Sequence, residues 1–563
     1  MFLRTGIRRR GAVLAGVAAL GLALAACSGG GSDGSSGGSG ASADSTLVAF
    51  TGAGEYQINF NPFSPSRVGG LGTTYESLFF FNKAKVGDPV PLLGTEFSWN
   101  DDGTELTVSL REGVTWSDGE PFTAEDVAFT FTMLKENPAI NNGGFDGTAE
   151  AVDDLTVRFT FDSPAFVKGP DVLQGAIVPE HLWKDINPTE DVIEEPVGTG
   201  AYVLSEFKPQ AFTMTANPDY WGGEPQVKNV RFVALAGNQA GADGIAAGTI
   251  DWQTSPIPDI QNTNKNFPDY DHFTQNQNQM VLATCSSAEL GCEGPQTDPA
   301  VRHALYYAID RTQLNKLAFM ETASEMSPTF ALTPSQDSFV SASVEEKQVP
   351  MTADPAKAGE ILEEAGWAKG SDGIYAKDGE RLSLTVEVVT GWTDYITAID
   401  AITSQAEAAG IEVKGAQSSW NEWTERKGQG NFQLAIDSLW QGPAPDPYYL
   451  YNYFFDSKSG AKVGESAGNN FSRYDNPKVD KALEELAKLP LDDAAARQPH
   501  FDTIQGEIVR DMPYIPVLTG GTTSIWNTAE FTGWPSEDDL YAFPAVWSAF
   551  DAAEIFKKIA PQG

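Results

Sequence analysis

The position of Cys27 constrains this chain most, because it separates an export segment from everything that can form a core. Arg4 and the run from Arg8 to Arg10 give a positive start, and an apolar run from Gly11 to Leu24 follows. That run is shorter than the about 20 apolar residues that a membrane-spanning helix needs. Small residues then precede the cysteine, as at the cleavage site of a secretion signal. The sequence therefore predicts a signal peptide over residues 1–26 and a body that folds outside the cytoplasm.

The stretch Leu24-Ala25-Ala26-Cys27 resembles the lipobox of bacterial lipoproteins. That resemblance implies that Cys27 is lipidated and holds the protein at the outer face of the cytoplasmic membrane. Residues 28–43 are almost only Gly, Ser and Ala, a composition that cannot bury apolar surface. Residues 27–44 are therefore predicted to be a lipid anchor and a tether. An ordinary signal peptide with an incidental cysteine is the alternative.

The charge balance excludes one class of partner. Lys and Arg number 37 against 77 Asp and Glu, which gives a net charge of −40. Nucleic-acid binding relies on Lys and Arg that neutralise phosphates, so this excess of acids argues against it. An acidic surface favours a soluble monomer.

Two further cysteines and four scattered histidines bear on covalent and metal chemistry. Cys285 and Cys292 lie in a polar loop outside the reducing cytosol and are predicted to form a disulfide. No histidine shows the spacing of a metal site, so neither a metal nor a cofactor is expected.

The pattern of apolar residues predicts an α/β fold. Leu382–Val389 alternates as a strand does, Tyr395–Ala409 has helical spacing and ends at Gly410, and Ile411–Val413 is the next strand. A strand, a helix and a strand joined by short links usually form a parallel pair. At 563 residues the chain is too long for a single core.

A series of short motifs follows in order along the chain. They are Leu92-Leu93-Gly94, Leu110 to Val114, Trp116 to Gly119, Phe122 to Val127, Pro196 to Tyr202, Asn217 to Trp221, Gly248 to Asp251 and Val301 to Arg311. The ordered set resembles the family 5 extracellular solute-binding proteins of ABC importers, which include oligopeptide- and dipeptide-binding proteins. The resemblance covers nearly all of the chain after Cys27.

The resemblance implies a two-lobed periplasmic-binding-protein-like fold, class II and cluster C, with an extra inserted domain and a hinge. The implied parts are a discontinuous lobe I of residues 45–75, 187–280 and 521–563, an inserted domain II of residues 76–186, and a lobe III of residues 281–520. Ligand is enclosed when the lobes close on it.

One segment bears on the ligand. In the family's peptide binders, a Trp stands seven residues before a Pro that follows an acid, and Trp440 and Asp446-Pro447 match that frame. Those binders also carry an Asp four residues before that Pro, which pairs with the ammonium group of the peptide. Here that position is Pro443. A buried ammonium without a counter-charge is costly, so the usual amine anchor is predicted to be absent. Asp437 is a possible substitute.

Aromatic residues fill this part of the chain. Flat aromatic faces suit sugar rings, and a few placed polar groups suit hydroxyls. The predicted ligand-binding residues are Trp392, Trp420, Trp423, Trp440, Gln441, Asp446, Tyr448, Tyr449, Asn59, Asn61 and Trp534. The segment from Gly533 to Asp539 also resembles the corresponding segment of family members that bind cello-oligosaccharides.

Enzyme functions have little support. Gly464-Glu465-Ser466-Ala467-Gly468 matches the G-x-S-x-G motif of esterases, but both flanks read as loop. A glycosidase with two carboxylates is a remote alternative. The sequence therefore predicts a non-enzymatic receptor that captures an oligomeric solute and delivers it to a membrane permease. A neutral oligosaccharide is the favoured ligand, and a di- or oligopeptide is the alternative.

Overall fold

The computed structural model describes residues 45–562 apart from 52–54, 65–66, 142, 237, 255–256 and 258. The predicted signal peptide, the predicted lipidation site Cys27 and the whole of the predicted tether lie outside the described residues. No helix in the described ranges is long and apolar enough to cross a bilayer.

The strands and helices are numbered in chain order. The strands are β1 Thr46–Phe50, β2 Phe79–Phe80, β3 Val90–Pro91, β4 Gly94–Trp99, β5 Glu105–Leu110, β6 Thr148–Asp153, β7 Thr156–Thr160, β8 Tyr202–Lys208, β9 Ala211–Ala216, β10 Asn229–Val233, β11 Trp252–Thr254, β12 Tyr270–Thr284, β13 Ala368–Lys369, β14 Tyr375–Lys377, β15 Glu380–Arg381, β16 Ser383–Val389, β17 Glu412–Ser418, β18 Leu434–Leu439, β19 Tyr514–Asn527, β20 Phe531–Thr532 and β21 Ala560–Pro561. The helices are α1 Ala124–Glu136, α2 Gly169–Leu173, α3 Glu180–Trp183, α4 Asn238–Ala246, α5 Thr263–Asn266, α6 Pro299–Ala308, α7 Arg311–Ala318, α8 Pro355–Glu364, α9 Thr393–Ala408, α10 Trp420–Gln429, α11 Pro447–Phe455, α12 Pro477–Leu486, α13 Ala494–Asp511 and α14 Ala549–Lys558.

Two long strands connect the two halves of the main sheet. The ten strands follow the order β17-β16-β18-β12-β19-β11-β1-β10-β9-β8. The central strands β12 and β19 pair antiparallel along most of their length, and the register shifts between Asn276 and Asn278. Both predicted boundaries of lobe III, 280/281 and 520/521, fall inside these strands. Within the described ranges, the pairing of β12 with β19 is therefore the hydrogen-bonded ladder that joins the two halves of the sheet.

The local sequence explains several of these elements. The Thr123 side chain and Asp126 form a capping box at the start of α1, as the sequence indicated. The apolar spacing of the sequence predicts helices over 477–486 and 494–511, and the structure has both with the same bounds. The predicted parallel pair is also confirmed, because β16 and β17 pair in parallel from Ser383 to Val389.

A separate four-stranded sheet lies within the range predicted for the inserted domain. Its order is β4-β5-β7-β6, and Phe131, Phe145 and Phe159 meet edge to face in the core beneath it. Ring pairs of this kind add to the stabilisation from buried area.

The loop between β12 and α6 carries a cross-link. The structure joins Cys285 to Cys292 in a disulfide whose Cα atoms lie 5.5 Å apart. Both cysteines are buried, so the bond is covered by protein.

Candidate functional site

A cavity of about 300 Å³ lies against the two crossing strands. The lining comes from both sides of the crossing. Thr254, Ile257, Ile260 and Trp547 belong to the range predicted for lobe I, and Ala318, Phe319, Met320, Thr322, Asp394 and Tyr395 to the range predicted for lobe III; Asn278, Met280 and Gly520 to Thr523 lie on the crossing strands. A site of this kind contacts whatever it binds from both sides, which is what closure around a ligand requires.

The crossing strands lie close to their neighbours at the cavity wall. A Cβ atom on Gly521 would lie 2.6 Å from the carbonyl oxygen of Thr322 and 2.4 Å from Cγ2 of Thr274. Only glycine fits at this position, so the backbone itself forms this part of the wall.

Tyr395 connects the cavity to a cluster of tryptophans. Its hydroxyl lies 2.6 Å from the Ser438 hydroxyl, and burial raises the pKa of Tyr395, so the phenol stays protonated. Its ring contacts Trp392 edge to face at 5.5 Å between ring centroids. Trp392 in turn contacts Trp420 at 5.6 Å and Trp423 at 5.3 Å.

The three tryptophans of this cluster differ in exposure. Trp423 is buried, and the Lys427 ammonium lies 3.9 Å from the centroid of its ring. Trp423 therefore supports the cluster from within. It was predicted to contact ligand, but its ring is buried in the structure. Trp420 is 54% exposed and stacks on Trp423.

Trp440 forms a second exposed aromatic surface. It directly follows β18, is 48% exposed, and stacks on Tyr453 with 4.3 Å between ring centroids. Trp547, which lines the cavity from the opposite half, is 50% exposed. Single exposed apolar residues are common on protein surfaces, but larger apolar surfaces such as stacked aromatic rings are candidates for binding.

Gln441 is buried beside Trp440. Within the described part of the chain, neither its amide oxygen nor its amide nitrogen has a hydrogen-bond partner. Leaving both groups unpaired is costly, so Gln441 stays a predicted ligand contact. The turn that follows depends on Gly442, where a Cβ atom would lie 2.4 Å from Cβ of Tyr449.

Asp446 has a structural role, and its predicted contact with ligand stays a prediction. Its carboxylate forms a bidentate ion pair with Arg497, whose side chain is fully buried. The same carboxylate accepts a hydrogen bond from the backbone N–H of Tyr448 at 2.8 Å and so caps α11. Asp446, the acid that matches the pattern of the family's peptide binders, therefore stabilises the start of α11.

Tyr448 and Tyr449 are also engaged within the protein. Both are buried, and the Tyr449 hydroxyl donates to the carbonyl of Val167 at 2.8 Å. Tyr448 donates to Asn452 at 3.4 Å. The bond from Tyr449 joins α11 to the range predicted for the inserted domain, and a ligand contact by either tyrosine stays a prediction.

Asn59 and Asn61 hold the turn after β1 and do not line the cavity. The side-chain carbonyl of Asn59 accepts from the backbone N–H of Asn61 at 3.1 Å. The Asn61 amide donates to the carbonyl of Pro188 at 2.9 Å, and its oxygen accepts from the N–H of Phe63. Asx turns of this kind explain the side-chain hydrogen bonds of both residues without a contact to ligand.

Trp534 lies at a different pocket. It stacks on Trp526 with 5.3 Å between ring centroids, and its indole N–H donates to the carbonyl of Phe531 at 3.2 Å. The open pocket of about 310 Å³ beside it is bordered by Asp271 and His272 and shares no lining residue with the cavity at the crossing strands.

The possible substitute for the missing amine anchor is already paired. The Asp437 carboxylate lies 2.5 Å from the Lys427 ammonium, and both side chains are largely buried. Among the described residues that line the cavity, Asp394 is the only charged one. It is exposed and lies in the first turn of α9.

The catalytic alternatives find no support in the geometry. The segment from Gly464 to Gly468 is loop on both sides, without the strand and helix that a nucleophile elbow needs. Within the described ranges, no group of three or more His, Cys, Asp or Glu side chains is placed to hold a metal ion.

The comparisons with known proteins decide the family. Residues 88–461 match the family described as bacterial extracellular solute-binding proteins, family 5 Middle. The chain belongs to this family. Family 5 proteins are extracytoplasmic, bind small peptides or other solutes, and deliver them to ABC permeases.

Two relatives are similar to this chain over most of its length. Protein XP55 of Streptomyces lividans is 34% identical over 425 residues, which cover 74% of this chain and 73% of that protein. The nickel-binding periplasmic protein of Escherichia coli K12 is 24% identical over 485 residues, or 82% of this chain and 86% of that protein.

A solved structure shows the same fold. The periplasmic oligopeptide-binding protein of Thermotoga maritima with mannohexaose bound gives a TM-score of 0.78 at 24% identity and covers 93% of this chain and 100% of that chain. The predicted two-lobed α/β fold of family 5 is thereby confirmed.

Proposed function

We propose that this family 5 protein captures a neutral oligosaccharide between two hinged lobes and hands it to an ABC permease. Lobe III meets lobe I at the crossing of β12 and β19, and the inserted domain contacts lobe III through Tyr449. The binding site is the cavity at the crossing together with the exposed aromatic surfaces near it. No bond is made or broken.

The exposed tryptophans carry this proposal. Trp547 on one half and Trp420 and Trp440 on the other present flat apolar faces that are half exposed without ligand. Sugar rings stack on such faces, and the polar groups of Asn278 and Gln441 are suited to their hydroxyls. Rings on both halves allow one ligand to stabilise the closed form.

The electrostatics of the site favour an uncharged ligand. Pro443 stands where peptide binders of the family carry an amine-binding Asp, and Asp437 is neutralised by Lys427. A peptide ammonium in this part of the site would lack a counter-charge. The mannohexaose bound by the relative from Thermotoga maritima supports an oligosaccharide.

A peptide is the second candidate, because Asp394 offers the cavity one carboxylate. Relatives in the family include the glutathione-binding protein GsiB, 25% identical over 500 residues.

Replacing Asp394 with asparagine separates the two candidates. We expect Asp394→Asn to change the Kd for cellohexaose by less than about threefold, because an exposed amide still accepts a hydroxyl hydrogen bond. Calorimetric titration measures this, and Asp400→Asn, an exposed change later on α9, is the matched control. Tight binding of a free-amine peptide that is lost in Asp394→Asn would establish the peptide instead.

We also propose that Cys27 carries a lipid that holds the protein at the outer face of the cytoplasmic membrane. Metabolic labelling with palmitate is expected to mark the wild-type chain and to leave Cys27→Ala unlabelled. Equal labelling of both chains, or release of the wild type into the medium, contradicts the anchor.

A further inference from the structure

The ranges predicted for lobe I and lobe III contact each other at the rim of the cavity. Gln261, in the range of lobe I, donates a hydrogen bond from Nε2 to the carbonyl oxygen of Met320, in the range of lobe III, at 3.0 Å. Met320 lines the cavity, and so does Ile260, the residue before Gln261. This hydrogen bond is separate from the ladder of β12 with β19, so it is a further connection between the two ranges.

The carbonyl of Met320 belongs to a strained turn. Met320 and Glu321 have φ angles of 52° and 59°, the left-handed region that residues with a Cβ atom rarely adopt. Backbone of this kind persists only where its surroundings fix it, and it is concentrated at ligand sites and switches. Two such residues in succession at the rim of a cavity therefore call for contacts that hold them.

Asn315 on α7 supplies those contacts. Its side chain donates to the carbonyl of Ala323 at 2.7 Å and accepts from the N–H of Ala323 at 3.1 Å, and its carbonyl accepts from the N–H of Glu321 at 3.0 Å. The turn is also tied to the site, because the rings of Phe319 and Tyr395 meet edge to face with 6.2 Å between centroids and both residues line the cavity. A turn that is fixed from within one range thus places a carbonyl against the other.

We propose that Gln261 is a positioning residue for closure, whose hydrogen bond to Met320 stabilises the closed form of the protein whatever ligand it holds. The inference rests on the proposed capture between two hinged lobes, but not on the chemistry of the ligand. A contact between the lobes that does not involve the ligand raises the population of the closed form, and the apparent affinity rises with that population. Every ligand therefore gains the same factor in affinity.

The test compares Gln261→Ala with wild type for cellohexaose, mannohexaose, trialanine and glutathione. We expect the Kd of each probe that wild type binds to rise by the same factor, about three- to tenfold, which is the range for loss of one hydrogen bond. Calorimetry measures Kd, and stopped-flow tryptophan fluorescence should place the change in the dissociation rate.

Two further variants of Gln residues serve as controls. Gln239 is also exposed and also donates from Nε2 at 3.0 Å, but to Asp243 on its own helix α4, so Gln239→Ala should leave Kd unchanged. Gln261→Lys keeps an N–H donor on a long stem and is expected to recover part of the affinity.

A double-mutant cycle connects Gln261 to the turn. Asn315→Ala releases the turn and is expected to weaken binding. Adding Gln261→Ala to that variant should then change Kd by less than about twofold, because the Met320 carbonyl is no longer held in place. Urea unfolding shows whether each variant is folded.

The four probes separate this inference from the proposed ligand. Unchanged Kd values in Gln261→Ala overturn the inference and leave the proposed function intact. A loss confined to one probe also overturns it, and makes Gln261 a contact of that ligand instead. If wild type binds only the two peptides, the oligosaccharide proposal fails, and an equal loss for both in Gln261→Ala still supports the role in closure. Failure of wild type to bind any probe overturns both.

Discussion

Replacing Trp440 with alanine is expected to weaken binding of cello-oligosaccharides by about 10- to 100-fold. The ring is about half exposed and stacks on Tyr453, so its free face is available to a sugar. Loss of a buried aromatic contact costs about 1.5–3 kcal/mol, and each 1.4 kcal/mol is tenfold in affinity. Isothermal titration calorimetry of the variant and wild type measures the ratio of their Kd values.

Two controls make this result specific. Trp440→Phe keeps a flat ring and is expected to retain most of the affinity. Leu182→Ala removes a side chain of similar exposure, 43%, on α3 and should not change Kd. The free energy of unfolding of Trp440→Ala is expected to fall by less than about 1.5 kcal/mol, because a half-exposed ring contributes little to the core. An unchanged Kd in Trp440→Ala contradicts stacking at this position.

Replacing Asp446 with asparagine is expected to reduce the free energy of unfolding by about 3–5 kcal/mol. The change leaves the fully buried Arg497 guanidinium without its counter-charge and weakens the cap of α11. Urea denaturation monitored by tryptophan fluorescence measures the loss. Under conditions where the variant is folded, its Kd for cellohexaose should stay close to that of wild type.

An exposed ion pair is the control for Asp446. Lys458 and Glu484 lie 2.8 Å apart with both side chains more than half exposed, so Glu484→Gln should cost less than about 1 kcal/mol. If Asp446→Asn is as stable as wild type but no longer binds the sugar, Asp446 is a ligand contact and its structural assignment is wrong.

The local elements of the fold were predictable from the sequence. Helices with a clear cap, such as α12 after Asn476 and α1 after Thr123, appear where the caps predict them. Strand β19 is an instructive difference. The apolar run from Tyr514 to Leu518 predicts a strand over 514–518 only, whereas the strand in the structure runs from Tyr514 to Asn527. Gly520-Gly521 reads as a turn, but long-range pairing with β12 keeps both glycines in the ladder.

The site was harder to predict, because exposure and pairing depend on the tertiary structure. Trp420 and Trp423 lie close together in the sequence. Nevertheless, Trp423 is buried and supports the tryptophan cluster, whereas Trp420 is exposed. Asp446 matched a family frame, but its partner Arg497 lies 51 residues away.

The central claim is that two halves of one protein close on an uncharged sugar chain. Calorimetric titration of the purified chain with cellohexaose, beside a mixture of free-amine tri- to hexapeptides, tests it most directly. We expect saturable binding of one sugar per protein and no heat of binding from the peptides. Saturable binding of peptides only, abolished when their amino termini are acetylated, would contradict it.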